Sequence, residues 1–140
     1  MIRVYDAPSE LEPKLRELLK IGCRKLKLDP EPSINVAFID KRRSRELNKE
    51  YLGRDEPTDV LSFNADEEGL LGEILICADV ARNQAKDAGW SLENEVSLLF
   101  THGLLHLNGF DHYNQKDAEK MSLLQSQILE AVIGKARRYI

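Results

Sequence analysis

Leu70-Leu71-Gly72-Glu73-Ile74-Leu75-Ile76-Cys77 is apolar at nearly every position. A short run this apolar reads as a strand covered on both faces, which belongs inside a sheet rather than at its edge. Working back, Asp66-Glu67-Glu68-Gly69 reads as a turn and Val60-Leu61-Ser62-Phe63 as the strand before it. Ile34, Val36 and Phe38 alternate with Asn35 and Ala37, the period of two that marks a half-buried strand ending near Asp40. Ile2 to Tyr5 is a shorter β-like run closed by Pro8. Between these strands, Leu11, Leu15, Leu18, Leu19, Cys23 and Leu26 recur by threes and fours behind a Ser9…Glu12 capping-box pattern, so an amphipathic helix is expected before Pro30 and Pro32. A second, short helix is expected over Glu46 to Leu52, stopped by Gly53.

Three helices are expected after the apolar strand. Asp79 caps the first, which runs through Val80, Ala81, Gln84, Ala85 and Ala88 to Gly89. Trp90 is expected in the core. Ser91 caps the second, with Glu93 and Glu95 as first-turn acids near its positive end. This helix carries Val96, Leu98, Leu99, Phe100, Leu104, Leu105 and Leu107, apolar all round and therefore buried. Asn114 and Asp117 open the last helix, with Ala118, Met121, Leu124, Ile128 and Val132 inward up to Gly134. The order βαβαββ followed by three helices predicts an α+β, α/β-like domain, a small mixed four-stranded sheet packed by about five helices. At 140 residues and 42% apolar content, residues 1–140 form a single domain with a real core.

Composition narrows the function classes. A net charge of −4 excludes a general polyanion binder, so nucleic-acid contact has to come from local basic patches. Lys41, Arg42, Arg43 and Arg45 form one such cluster, either a solvated face or a phosphate-contacting patch. The tail Lys135-Ala136-Arg137-Arg138-Tyr139-Ile140 is also basic. Cys23 and Cys77 lie far apart in a helix and a buried strand and read as buried free thiols. Met1 to Asp6 lacks a signal-peptide apolar region and no run has the length of a membrane span, so a cytoplasmic location is expected.

The chemistry concentrates in Thr101-His102-Gly103-Leu104-Leu105-His106-Leu107-Asn108-Gly109-Phe110-Asp111-His112, which holds all three histidines. His102 and His106 are four apart, on one face of a helix. Gly109 stands where that helix has to stop, and the turn brings His112 back toward the pair. Three imidazoles at this spacing predict a zincin-like metal helix holding one divalent ion, with zinc favoured and nickel or copper also suited to imidazole. The spacing matches the metzincin pattern, yet the position of the metzincin general base is Gly103. Peptide hydrolysis by that route loses its proton acceptor. Two imidazoles on a buried helix are costly without partners, which favours the metal. Glu95, on their face two turns earlier, reads as an ordinary first-turn acid rather than a ligand.

With that run and Pro57-Thr58-Asp59-Val60-Leu61-Ser62-Phe63 both in view, the chain closely resembles the YbeY family of bacterial rRNA-maturation endoribonucleases over nearly its whole length, Leu71-Gly72-Glu73-Ile74 giving weaker support. The resemblance implies a single-strand-specific, metal-dependent endoribonuclease of 16S rRNA 3′-end processing and ribosome quality control, with His102, His106 and His112 as zinc ligands. Single-stranded RNA, the 16S rRNA precursor and the ribosome or its small subunit are the implied partners; neither membrane nor DNA is. Family members often carry an arginine where this chain has Leu52, and Arg54 is the nearest cation able to contact a phosphate. Asp111 adjoins the third ligand, where it can orient an imidazole, act as base, or simply bond its own backbone. Two rival readings remain: a metal-dependent hydrolase of peptides or small molecules, and a non-catalytic ribosome-assembly factor with structural zinc.

Overall fold

The computed structural model describes residues 1–111 and 113–134. Strand β1 (Ile2–Tyr5) leads through a 3-10 turn (Ser9–Leu11) into α1 (Glu12–Leu26), followed by β2 (Ser33–Ile39), α2 (Lys41–Leu52), β3 (Val60–Glu67) and β4 (Leu70–Cys77). Helices α3 (Ala78–Ala88), α4 (Leu92–Leu107) and α5 (Gln115–Ile133) complete it. The sheet order is β1-β2-β4-β3, with β1, β2 and β4 parallel and β3 antiparallel to β4 at the edge. This is the predicted mixed four-stranded sheet with five helices among the described residues.

The core lies on one face of the sheet. Ile34, Val36, Ile74 and Ile76 point into it and meet Leu15, Leu18 and Leu19 of α1, Phe100, Leu104 and Leu105 of α4, and Ile128 and Leu129 of α5. The three helices also pack on one another, and α3 packs on α4. Side chains pointing the other way are only half-covered: Asn35, Ala37 and Ile39 on β2, and Leu75 on β4, with Glu73 exposed. The expectation that β4 is covered on both faces is thus corrected. It does lie inside the sheet, but its burial alternates from Gly72 to Ile76, because three helices are stacked on the first face and none of them on the second.

Most local signals are realised. Ser91 accepts from Asn94 N–H at 3.1 Å and Asn114 from Asp117 N–H at 2.9 Å, satisfying donors left open at the starts of α4 and α5. Asp40 does the same for α2, accepting from Arg43 N–H at 2.8 Å. The Ser9…Glu12 capping box is not formed; a 3-10 turn occupies Ser9–Leu11 and Pro13 takes the first turn of α1, where its missing N–H costs nothing. Asp79 sits inside the first turn of α3 rather than at its cap, which is Cys77. Cys23 and Cys77 are buried free thiols. No described helix is long and apolar enough to cross a membrane.

Candidate metal centre

The position of α4 is set by how closely it approaches the sheet. A Cβ on Gly103 would lie 3.0 Å from Ser62 Oγ and 3.1 Å from Ile74 Cγ2, so glycine lets the helix backbone settle onto β3 and β4. The residue that departs from the protease pattern therefore has a packing role, and a glutamate has no room there. The end of α4 is also secured. Asn108 Nδ2 donates to Leu104 O at 2.8 Å and Asn64 Nδ2, from β3, to Leu107 O at 2.9 Å, meeting carbonyls that a helix end leaves unpaired. The chain then reverses at Gly109, whose φ is +87°. At the other end, Glu95 is 2% exposed and accepts from Trp90 Nε1 at 2.9 Å, so it is engaged away from the histidines.

His102 and His106 thus project from a rigid helix. Their rings meet edge to face with centroids 4.5 Å apart, and their Nε2 atoms converge to 3.0 Å. Two imidazole nitrogens on one tetrahedral zinc, each at about 2.05 Å, are about 3.3 Å apart. Opening the pair by a few tenths of an ångström would admit the ion, so the donor set and its convergence fit such a group. The same contact is of hydrogen-bond length, with one ring donating to the other. On its far side, His102 Nδ1 lies 3.2 Å from Gln125 Oε1, on α5. No sequence signal pointed to Gln125, which sits among the polar positions of an ordinary amphipathic helix.

His112, the third expected ligand, lies outside the described residues, as does the basic tail 135–140. Among the described residues no group of three His, Cys, Asp or Glu side chains converges on one point. Asp111 is half-buried, its Oδ1 accepting from Tyr113 N–H at 3.1 Å, a bond that spans the third histidine position. Arg54 is exposed in the loop after α2, its N–H bonded to Asn48 O at 3.3 Å; among the described residues its side chain makes no hydrogen bond or ion pair.

The Pro57 to Phe63 segment builds the surroundings of α4. Thr58 N–H donates to Ser44 Oγ at 2.9 Å, and Ser44 Oγ donates back to Thr58 O at 2.8 Å. Asn48 Nδ2 donates to Glu56 O at 2.8 Å. Asp59 accepts from Val60 N–H at 2.7 Å and from Gln84 Nε2 on α3 at 3.3 Å. Ser62 faces Gly103, while Phe63 points to the other face and packs on exposed Tyr51 with ring centroids 4.9 Å apart. In the basic cluster, Arg42 and Arg43 pair with Glu46, and Arg45 holds Asp55 through Nε at 2.7 Å. The hydrogen bond from Arg45 holds the Asp55 carboxyl below its usual range.

Residues 3–133 match the family model for Endoribonuclease YbeY. The chain is 39% identical over 135 residues to the Endoribonuclease YbeY of Staphylococcus carnosus, covering 89% of this chain and 88% of that protein. It is 37% identical over 147 residues to that of Lactococcus lactis subsp. cremoris, covering 90% and 91%. A solution structure of a Thermotoga maritima protein superposes with a TM-score of 0.69 at 32% identity, covering 96% of this chain and 90% of that one.

Proposed function

Since the chain belongs to the Endoribonuclease YbeY family, we propose that it is a metal-dependent endoribonuclease cutting unpaired RNA, with one divalent ion, zinc, on His102, His106 and His112. The observation that carries the metal is the convergence of the two Nε2 atoms to 3.0 Å on a helix fixed at both ends. A zinc ion held by these imidazoles would supply Lewis acidity toward a phosphoryl oxygen and so stabilise charge developing there. The chain's own contribution is positioning. The core holds α4, and α4 holds the two imidazoles.

RNA carries its own 2′-hydroxyl nucleophile, so no glutamate is needed to activate a water, but the hydroxyl proton still requires an acceptor. Asp111, which accepts from Tyr113 N–H, adjoins the third ligand in sequence, and we assign it the role of orienting an imidazole or accepting that proton. Arg54, in a polar loop with its guanidinium unengaged by described residues, meets a substrate phosphate. Lys41, Arg42, Arg43 and Arg45 supply further backbone contacts; the ion pairs of the three arginines are exposed and weak enough to exchange for phosphate. The substrate is the 3′ end of precursor 16S rRNA and the setting the small ribosomal subunit, as the family resemblance implies.

The test uses metal-loaded protein offered an unstructured RNA and a mixed peptide library. RNA cleavage without peptide turnover is expected. Turnover of peptides but not of RNA would transfer the site to the peptidase reading. His106→Ala should stay folded and lose cleavage; unfolding on loss of the ligand would instead assign the zinc a structural role.

A further inference from the structure

We propose that Gln125 is a positioning residue for this centre: from α5, its side-chain carbonyl accepts a hydrogen bond from His102 Nδ1–H and so presents the Nε2 lone pair of that ring to the ion. The proposal rests on His102 and His106 being ligands and adds the residue that sets the first of them. Gln125 lies 23 residues away on another helix, with Oε1 3.2 Å from His102 Nδ1. A neutral imidazole has one ring proton, and only the form protonated at Nδ1 leaves Nε2 able to coordinate. Nε2 is also the atom that faces His106. Ligating histidines commonly donate their other ring N–H to an outer acceptor that fixes tautomer and ring orientation.

Gln125 is well placed to hold an angle. Met121, Ile128 and Leu129 on either side of it are buried in the core, and α5 packs on both α1 and α4. The half-buried amide is therefore carried on a helix that cannot shift without disturbing the core.

The choice of an amide matters for the chemistry. A carboxylate at this position would also fix the tautomer, but would raise the basicity of the imidazole and cancel part of the ion's charge. A neutral carbonyl leaves both positive charges of a divalent ion to face the substrate. The buried acid of α4, Glu95, lies about two turns before His102 and is bonded to Trp90 Nε1 instead of to the imidazoles. An undiminished dication suits a phosphodiester, which is already anionic.

The experiment measures zinc affinity by competition with a chromophoric chelator for the wild type, Gln125→Leu and Gln125→Glu, with thermal melts of each metal-free protein. Nitrogen-detected NMR of the metal-free wild type reads the His102 tautomer. Gln125→Leu is expected to bind zinc about 10–100-fold more weakly with an unchanged metal-free melt. Gln125→Glu should bind at least as tightly as wild type yet cleave RNA more slowly, and His102 should carry its proton on Nδ1. Wild-type zinc affinity in Gln125→Leu overturns the proposal. So does a loss of affinity matched by loss of metal-free stability, since packing of α5 then explains it, and so does a proton on His102 Nε2. A wild type that binds no metal would instead defeat the metal reading itself.

Discussion

Gly103 shows how much one residue decides. The spacing of the histidines invites a peptidase, and the missing glutamate looks in sequence like lost catalysis; in the fold it is a packing requirement, because the helix touches Ser62 and Ile74 there. Gly103→Ala should lower stability by about 1 kcal/mol, overpacking of about 1–3 kcal/mol outweighing a helix-propensity gain of about 1 kcal/mol. Gly103→Glu should lose more than about 3 kcal/mol, because its carboxylate is forced unpaired against buried Ile74. Urea denaturation reads both, and a Gly103→Glu protein of wild-type stability with new peptidase activity would contradict this. The histidine pair was legible because four-residue spacing is a local pattern. Gln125 was not, since its meaning arises only when α5 crosses α4. Cys23 yields a prediction in pH. Burial, reinforced by Glu31, pushes its thiol up from 9.0 to about 11. The folded value exceeds the unfolded one, so this contribution to stability is fully present below pH 9 and is lost as pH rises toward about 11. Denaturation midpoints across that window should fall more steeply for wild type than for Cys23→Ala.

Among the elements, α2 with its following loop was the least readable. Its basic start suggested a patch, but the sequence does not reveal that Ser44 and Asn48 on its inner side are 1% and 2% exposed and bind Thr58 and Glu56. These bonds fix the course of the loop into β3, and hence Ser62 against α4. Asn48→Ala should cost about 1–2 kcal/mol, leaving the Glu56 carbonyl without its donor, and should weaken zinc binding little; a chemical melt and the chelator competition separate the two. The outer side of α2 is read by salt. For a single strand, each phosphate contact contributes about 0.7 to the slope of log affinity against log salt. Replacing Lys41, Arg42 and Arg43 by Ala should therefore reduce that slope by about two; an unchanged slope would make the cluster only a solvated face. Strands and helix caps were legible because both depend on neighbours in sequence. Coverage of β4 was not, since an apolar strand does not say how many helices will reach its far side.

Over the whole molecule, helices α1, α4 and α5 gather on one face of the sheet and place the imidazole pair at the end of α4 beside edge strand β3. A net charge of −4 repels RNA overall, so the proposed function requires local cation contacts, which it assigns to α2, Arg54 and the ion. The architecture followed from the order of elements and the endoribonuclease family from the motifs, while the proposed metal chemistry rests on the histidine spacing. All three meet in one claim, that a divalent ion on α4 cuts unpaired RNA. The most direct measurement follows cleavage of an RNA with one paired stem and one unpaired tail by chelator-stripped protein before and after one equivalent of zinc. No cleavage is expected before zinc, and cuts confined to the tail after it. Equal cleavage by the stripped protein, or cutting within the stem, would contradict that claim.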